Sequence, residues 1–205
     1  NAWQYVWYVP QDVPGLIQLL GGREKFIKKL DEFFVVEGGE DGKNENASGF
    51  IGQYAHGNEP SHHVAFLYNY VNEPWKAQKR VDEIMNKFYT ADAAGYAGNE
   101  DCGQMSAWYI FNALGFYPVN PASGVYNFGS PRIAHAEIDL ENGKTFIIKP
   151  KNSKPGNIYI QSVKLNNKVH AKNTILHSDI LKGGVLEYEM GPKPNLKWAK
   201  LCADK

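Results

Sequence analysis

Two stretches of this sequence carry the residues most able to do chemistry, Gly98-Asn99-Glu100-Asp101-Cys102-Gly103-Gln104 and Gly57-Asn58-Glu59-Pro60-Ser61-His62-His63. Both open on Gly-Asn-Glu, and both run into an apolar stretch with helical spacing. After the first, Met105, Trp108 and Phe111 recur alongside Ala107, Ile110 and Leu114; after the second, Val64, Leu67, Tyr68 and Val71 do so. A carboxylate at the mouth of a buried helix, among glycines that admit close neighbours, is arranged as the reactive group of a site would be. Asp101 also stands where a helix N-cap would, with Gln104 three residues on in the capping-box pattern. It reads as a cap alone or as a carboxylate that is both cap and reagent, and the duplicated triplet weighs towards the second.

The elements that must hold these turns follow from the rest of the pattern. Asp12, with Pro14 two residues on, opens a short helix through Leu20 that Gly21-Gly22 ends. Phe26, Ile27, Leu30, Phe33 and Phe34 then form the buried stripe of a second helix. A third, Trp75 to Tyr89, turns Val81, Ile84, Met85 and Phe88 inward and its charges to solvent. Residues 38–49 are rich in glycine, acids and amides without apolar period, a surface loop; Asp41, Asn44 and Glu45 lack the spacing and closing carboxylate of a calcium-binding hand. Past Tyr117 the period changes to alternation: Ile133 to Leu140, Thr145 to Lys149, Ile158 to Leu165 and Val185 to Met190, divided by Asn142-Gly143, Pro155-Gly156-Asn157, Asn166-Asn167 and Gly183-Gly184. The expected class is α+β, with a helical part over 1–119, an antiparallel β region over 120–205 that covers it, and a linker at Asn120 to Gly124.

With 205 residues, 43% of them hydrophobic, the chain can bury a real core. A formal net charge of zero without a basic run gives no electrostatic support for a nucleic-acid or anionic-membrane partner. No apolar stretch approaches the roughly 20 residues of a membrane span. Cys102 and Cys202 are too few for a disulfide framework and leave the redox compartment open. Trp3, Tyr5, Trp7 and Tyr8 either fill a core or floor a sugar site, core being the commoner role. The residues from Asn1 already read as ordered structure, which suggests a piece of something longer.

Seven motifs in order resemble the C-terminal part of the bacterial α-mannosidases of glycoside hydrolase family 92: Asn1-Ala2-Trp3-Gln4-Tyr5, Val9 to Gly15, Gly57 to His63, Pro74-Trp75-Lys76, Gly98 to Trp108, Leu114 to Pro118 and Gly129-Ser130-Pro131. The resemblance implies that the helical part belongs to an (α/α)6 barrel, here incomplete, behind an N-terminal β-sandwich. It implies an inverting, calcium-dependent exo-α-mannosidase, secreted or periplasmic, acting on mannose-containing glycans such as mannan or N-glycans.

Carried over by position, Asp101 resembles the general base that deprotonates the attacking water. The family often has a second acid two residues earlier, where this chain has Asn99. Asn58 and Glu59 match a substrate- and metal-side motif; a His at position 58 accompanies α-1,2 specificity in some members. Substrate contacts are thereby expected at Trp3, Asp12, Asn58, Glu59 and Asn99, and Ca²⁺ ligands at Glu59, Asn99 and Asp101, whose oxygens suit a hard cation. The family's general acid resembles a Glu just ahead of the Asn1 motif, so residues 1–205 alone are expected to be inactive and to pair with the rest of the polypeptide or self-associate. His62 and His63 read as packing and capping groups. Two other readings are a non-catalytic carbohydrate-binding module with Trp3, Trp7 and Trp108 as sugar platforms, and a retaining glycosidase.

Overall fold

The computed structural model describes residues 1–37 and 48–199; the loop expected over 38–49 lies mostly outside them. The chain order is α1 (Ala2–Tyr5), α2 (Val13–Leu19), α3 (Arg23–Phe33), β1 (Phe50–Ile51), β2 (Tyr54–Ala55), α4 (Pro74–Phe88), α5 (Gln104–Leu114), β3 (Phe116–Tyr117), β4 (Val125–Phe128), β5 (Ala136–Asp139), β6 (Thr145–Lys151), β7 (Tyr159–Leu165), β8 (Lys168–Val169), β9 (Thr174–Leu176), α6 (His177–Ile180) and β10 (Gly184–Gly191).

The helices form where the pattern places them. Asp12 caps α2, its Oδ1 accepting from the Gly15 amide at 2.9 Å. Phe26, Leu30 and Phe33 bury one stripe of α3, and Ala77, Val81, Ile84 and Met85 one stripe of α4. Each large side chain so buried contributes about 1.5–3 kcal/mol of transfer free energy. The segment after Pro60 differs from the expected α-helix. It runs as two 3-10 pieces, Glu59–Ser61 and Val64–Val71. The second is buried on all sides except Tyr70, so its tighter winding is set by packing rather than by an amphipathic stripe. These elements share one core with Trp7, Tyr54, Phe66 and Trp108.

The second core lies against a five-stranded sheet of order β5-β6-β10-β7-β8 and holds Phe128, Phe146, Ile148, Ile160, Val163, Leu186 and Tyr188. The turns at Gly143 (φ 76°) and at Asn166 and Asn167 (φ 51° and 64°) lie at the expected hairpins. The region is not wholly antiparallel: β10 returns between β6 and β7, pairing parallel with β6 and antiparallel with β7. The chain leaves that slot after β6 and fills it last, which alternation within single strands does not reveal.

Asn120 to Gly124, expected as a linker, is a 3-10 turn joining β3 to β4, and β4 in turn pairs with β9. Helices and sheets are tied by Gln78 Oε1, which accepts from the Ile160 amide at 3.1 Å, and by the Arg132–Asp82 ion pair at 2.8 Å.

Candidate active site

The two Gly-Asn-Glu turns meet. A Cβ built on Gly98 (φ 78°) would stand 2.7 Å from the Gly57 carbonyl oxygen and 2.9 Å from Gly57 Cα, so the paired glycines permit a backbone approach that no larger residue allows. Beyond this contact the exposed carboxyl groups of Glu59 and Asp101 come within hydrogen-bonding reach. The hydrogen bond to Glu59 is the largest influence raising the Asp101 pKa above the ordinary aspartate value, with partial desolvation and the Glu59 charge adding to it. Two carboxyl groups so close either share a proton or hold a cation between them.

The turn that presents Asp101 is unusual in its backbone. Asp101 (φ 52°), Cys102 (φ 57°) and Gly103 (φ 97°) take three left-handed conformations in succession. Such conformations cost a non-glycine residue about 1–3 kcal/mol and cluster at functional sites. They also overturn the expected capping box. α5 starts from Gly103 without a side-chain cap, and the carboxylate that meets its first turn is Glu100, whose Oε1 accepts from the Ser106 amide at 3.3 Å. Asp101 is thus released from capping, and Gln104 turns to a different partner.

That partner is His62. Gln104 Nε2 lies 3.0 Å from His62 Nδ1 and 3.4 Å from Tyr117 Oη, while His62 Nε2 lies 2.9 Å from the His56 carbonyl. His56 bridges Tyr54 Oη at 2.8 Å and Tyr89 Oη at 2.7 Å, and Tyr89 donates to the Met105 carbonyl at 3.1 Å. His63 Nε2 bonds the Trp7 carbonyl at 2.8 Å. All three imidazoles are buried, and desolvation lowers their pKa values, that of His62 to about 4. His62 and His63 therefore pack as expected, but His63, at the start of Val64–Val71, does not cap that segment with its side chain.

The remaining expected residues are dispersed. α1, which carries Trp3, packs on the Glu59–Ser61 turn and is fastened by Asn1 Nδ2 to Gln53 Oε1 at 3.1 Å. The Trp3 ring is partly buried, with Lys29 Nζ 4.5 Å from its centroid. Asn58 and Asn99 lie on the two meeting turns, Asn99 exposed. Asp12 is engaged at the start of α2. Trp7 and Trp108 are completely buried and cannot serve as sugar platforms; Trp108 stacks on Tyr89 at 5.8 Å and donates Nε1–H to the His62 carbonyl at 3.0 Å. Ile110, expected on the buried face of α5, is 57% exposed.

Glu59 and Asp101 supply hard oxygen donors suited to Ca²⁺, with amide oxygens of Asn58 and Asn99 on the same turns. Among the described residues no group of three or more His, Cys, Asp or Glu gathers to hold a metal. Two carboxylates with amides on the same turns are the donor types that Ca²⁺ takes, though fewer than a complete ligand set.

Sequence missed His56, Glu100, Tyr89 and Tyr117. Glu100 stands inside the second Gly-Asn-Glu triplet and His56 directly ahead of the first, and these were the available hints.

Exposed carboxyl groups brought together on two glycine-permitted turns are the residue type that hydrolysis of a glycosidic bond uses. The chain belongs to glycosyl hydrolase family 92: the model of that family's catalytic domain matches residues 1–192. A family GH92 α-mannosidase of Bacteroides thetaiotaomicron, also solved in complex with mannoimidazole, is 47% identical and superposes with a TM-score of 0.89 over 96% of this chain and 26% of its own. A family GH92 inverting mannosidase of the same organism is 36% identical, with a TM-score of 0.86 over 100% of this chain and 29% of its own. An uncharacterized secreted glycosidase of the fungus Arthroderma benhamiae is 34% identical over 201 residues, 97% of this chain and 24% of that protein. The chain thus spans about a quarter of the length of such relatives. Among the described residues no helix is long and apolar enough to cross a membrane.

Proposed function

We propose that the full-length protein is a calcium-dependent, inverting exo-α-mannosidase of mannan or N-glycans, exported to the periplasm or medium, with Asp101 as general base. The observation that carries this reading is the Glu59–Asp101 carboxyl pair in a family 92 chain. Asp101 takes the proton of the attacking water.

Glu59 does not serve as the opposing acid. An inverting site needs its acid about 6.5–9.5 Å from the base, with the water between them, whereas Glu59 is a direct neighbour of Asp101. We assign leaving-group protonation to the family Glu ahead of the Asn1 motif. α1 packs on the Glu59–Ser61 turn, so a carboxylate there would reach the same site.

Glu59, Asp101 and Asn99 would hold Ca²⁺, which when bound clamps vicinal sugar hydroxyls and favours ring distortion. In the same reading the helices form part of an (α/α)6 barrel, and the remainder of the enzyme covers the apolar side chains bare at Tyr5, Leu19 and Val35.

The test is hydrolysis of an α-mannoside by the full-length protein, followed by proton NMR of the anomer first released and repeated after chelation. β-Mannose first, loss of activity with chelator and recovery with Ca²⁺ are expected. α-Mannose first would support the retaining alternative, and chelator-insensitive turnover would remove the metal.

A further inference from the structure

We propose that Gln104 is a positioning residue for this reaction: its side-chain amide locks the turn that presents Glu59 to the turn that presents Asp101. The proposal rests on the mannosidase reading above. Gln104 lies three residues beyond Asp101 and His62 three beyond Glu59, so the 3.0 Å bond between them ties the two turns at the same sequence distance from each carboxylate.

The polarity of the network is fixed. A carbonyl only accepts, so the His62 nitrogen 2.9 Å from the His56 oxygen carries its hydrogen, and Nδ1 of the neutral ring is left to accept. The Gln104 amide supplies that donor, and its second N–H points to Tyr117 Oη at 3.4 Å. The ring cannot swing away, because His62 is 1% exposed and Trp108 holds its carbonyl. α5 has no side-chain cap, so the Gln104 amide is what pins its first residue to the Glu59 side.

Substitution separates bonding from bulk. Gln104→Glu keeps the shape but sets an acceptor against an acceptor, and Gln104→Met keeps the bulk without a donor. Tyr117→Phe removes only the longer arm. In the full-length protein both Gln104 variants should lose kcat by about tenfold or more with KM within about threefold, and Tyr117→Phe should stay within about threefold of wild type. Imidazole ¹⁵N shifts should report a neutral Nε2–H ring with a hydrogen-bonded Nδ1 for His62 in wild type, and loss of the Nδ1 hydrogen bond in Gln104→Met.

Gln104 variants with wild-type kcat would overturn the proposal, as would a loss of kcat that only tracks a loss of folded protein. A His62 Nδ1 shift unchanged in Gln104→Met would do the same. A wild-type protein inactive on every α-mannoside would instead overturn the mannosidase reading, and any positioning role with it.

Discussion

Gly57 and Gly98, the first residues of the two Gly-Asn-Glu triplets, touch backbone to backbone, and this contact is what brings Glu59 and Asp101 together. A methyl group at Gly98 would strike the Gly57 carbonyl at 2.7 Å, whereas one at Gly103 would meet nothing within 4 Å. Both positions have positive φ, 78° and 97°, so an alanine at either pays the same kind of backbone strain. The expected result is that Gly98→Ala lowers stability by about 1–3 kcal/mol more than Gly103→Ala, read from urea unfolding midpoints. Equal losses would mean that the turns do not meet.

Acid should unfold the protein through its buried histidines. Desolvation holds the folded-state pKa values of His56, His62 and His63 below 6.5, with His62 at about 4. Between pH 6.5 and about 4 the unfolded chain therefore binds more protons than the folded one. The stability from neutral burial is complete above 6.5 and is lost as pH falls through that window. Each such histidine contributes a slope of up to about 1.4 kcal/mol per pH unit. Urea midpoints that stay flat from pH 7 to pH 5 would contradict this burial.

The helical spacing of α2, α3 and α4, the α2 cap, the strands β5, β6, β7 and β10 and the hairpin turns were legible in sequence because each is local, whereas the short strands β1 to β4 and β9 were not. The duplicated triplet singles out the two turns, with Glu59 inside one and Asp101 directly after the other. What was illegible depends on distant partners: the slot that β10 fills between β6 and β7, and the bond from Gln104 to His62. The capping box failed for a related reason. Asp101 and Cys102 both take left-handed backbone, which moves the helix start to Gly103, and sequence gives that conformation weak signals outside glycine and asparagine.

Trp108 separates the enzyme from a sugar-platform module. It is fully buried between His56 and Tyr89, with ring centroids 4.4 Å and 5.8 Å away. Trp108→Ala should cost about 3–5 kcal/mol of stability. A platform tryptophan would instead lose sugar affinity at nearly unchanged thermal midpoint.

Glu59→Gln removes one of the two charges that would face a cation. The variant of the full-length protein should need at least about tenfold more Ca²⁺ for half-maximal activity, and its thermal midpoint should rise less on adding Ca²⁺. An unchanged Ca²⁺ requirement would remove Glu59 from the metal side.

The most direct test of Asp101 as the base is the kcat/KM of Asp101→Asn in the full-length protein on an aryl α-mannoside. Because α5 takes no side-chain cap from Asp101, the amide should leave the thermal midpoint within a few degrees of wild type. The account predicts that kcat/KM falls by about 10²–10⁴-fold in that folded variant, the contribution typical of a positioned proton acceptor. A folded Asp101→Asn protein that hydrolyses the mannoside within about threefold of the wild-type rate would contradict it.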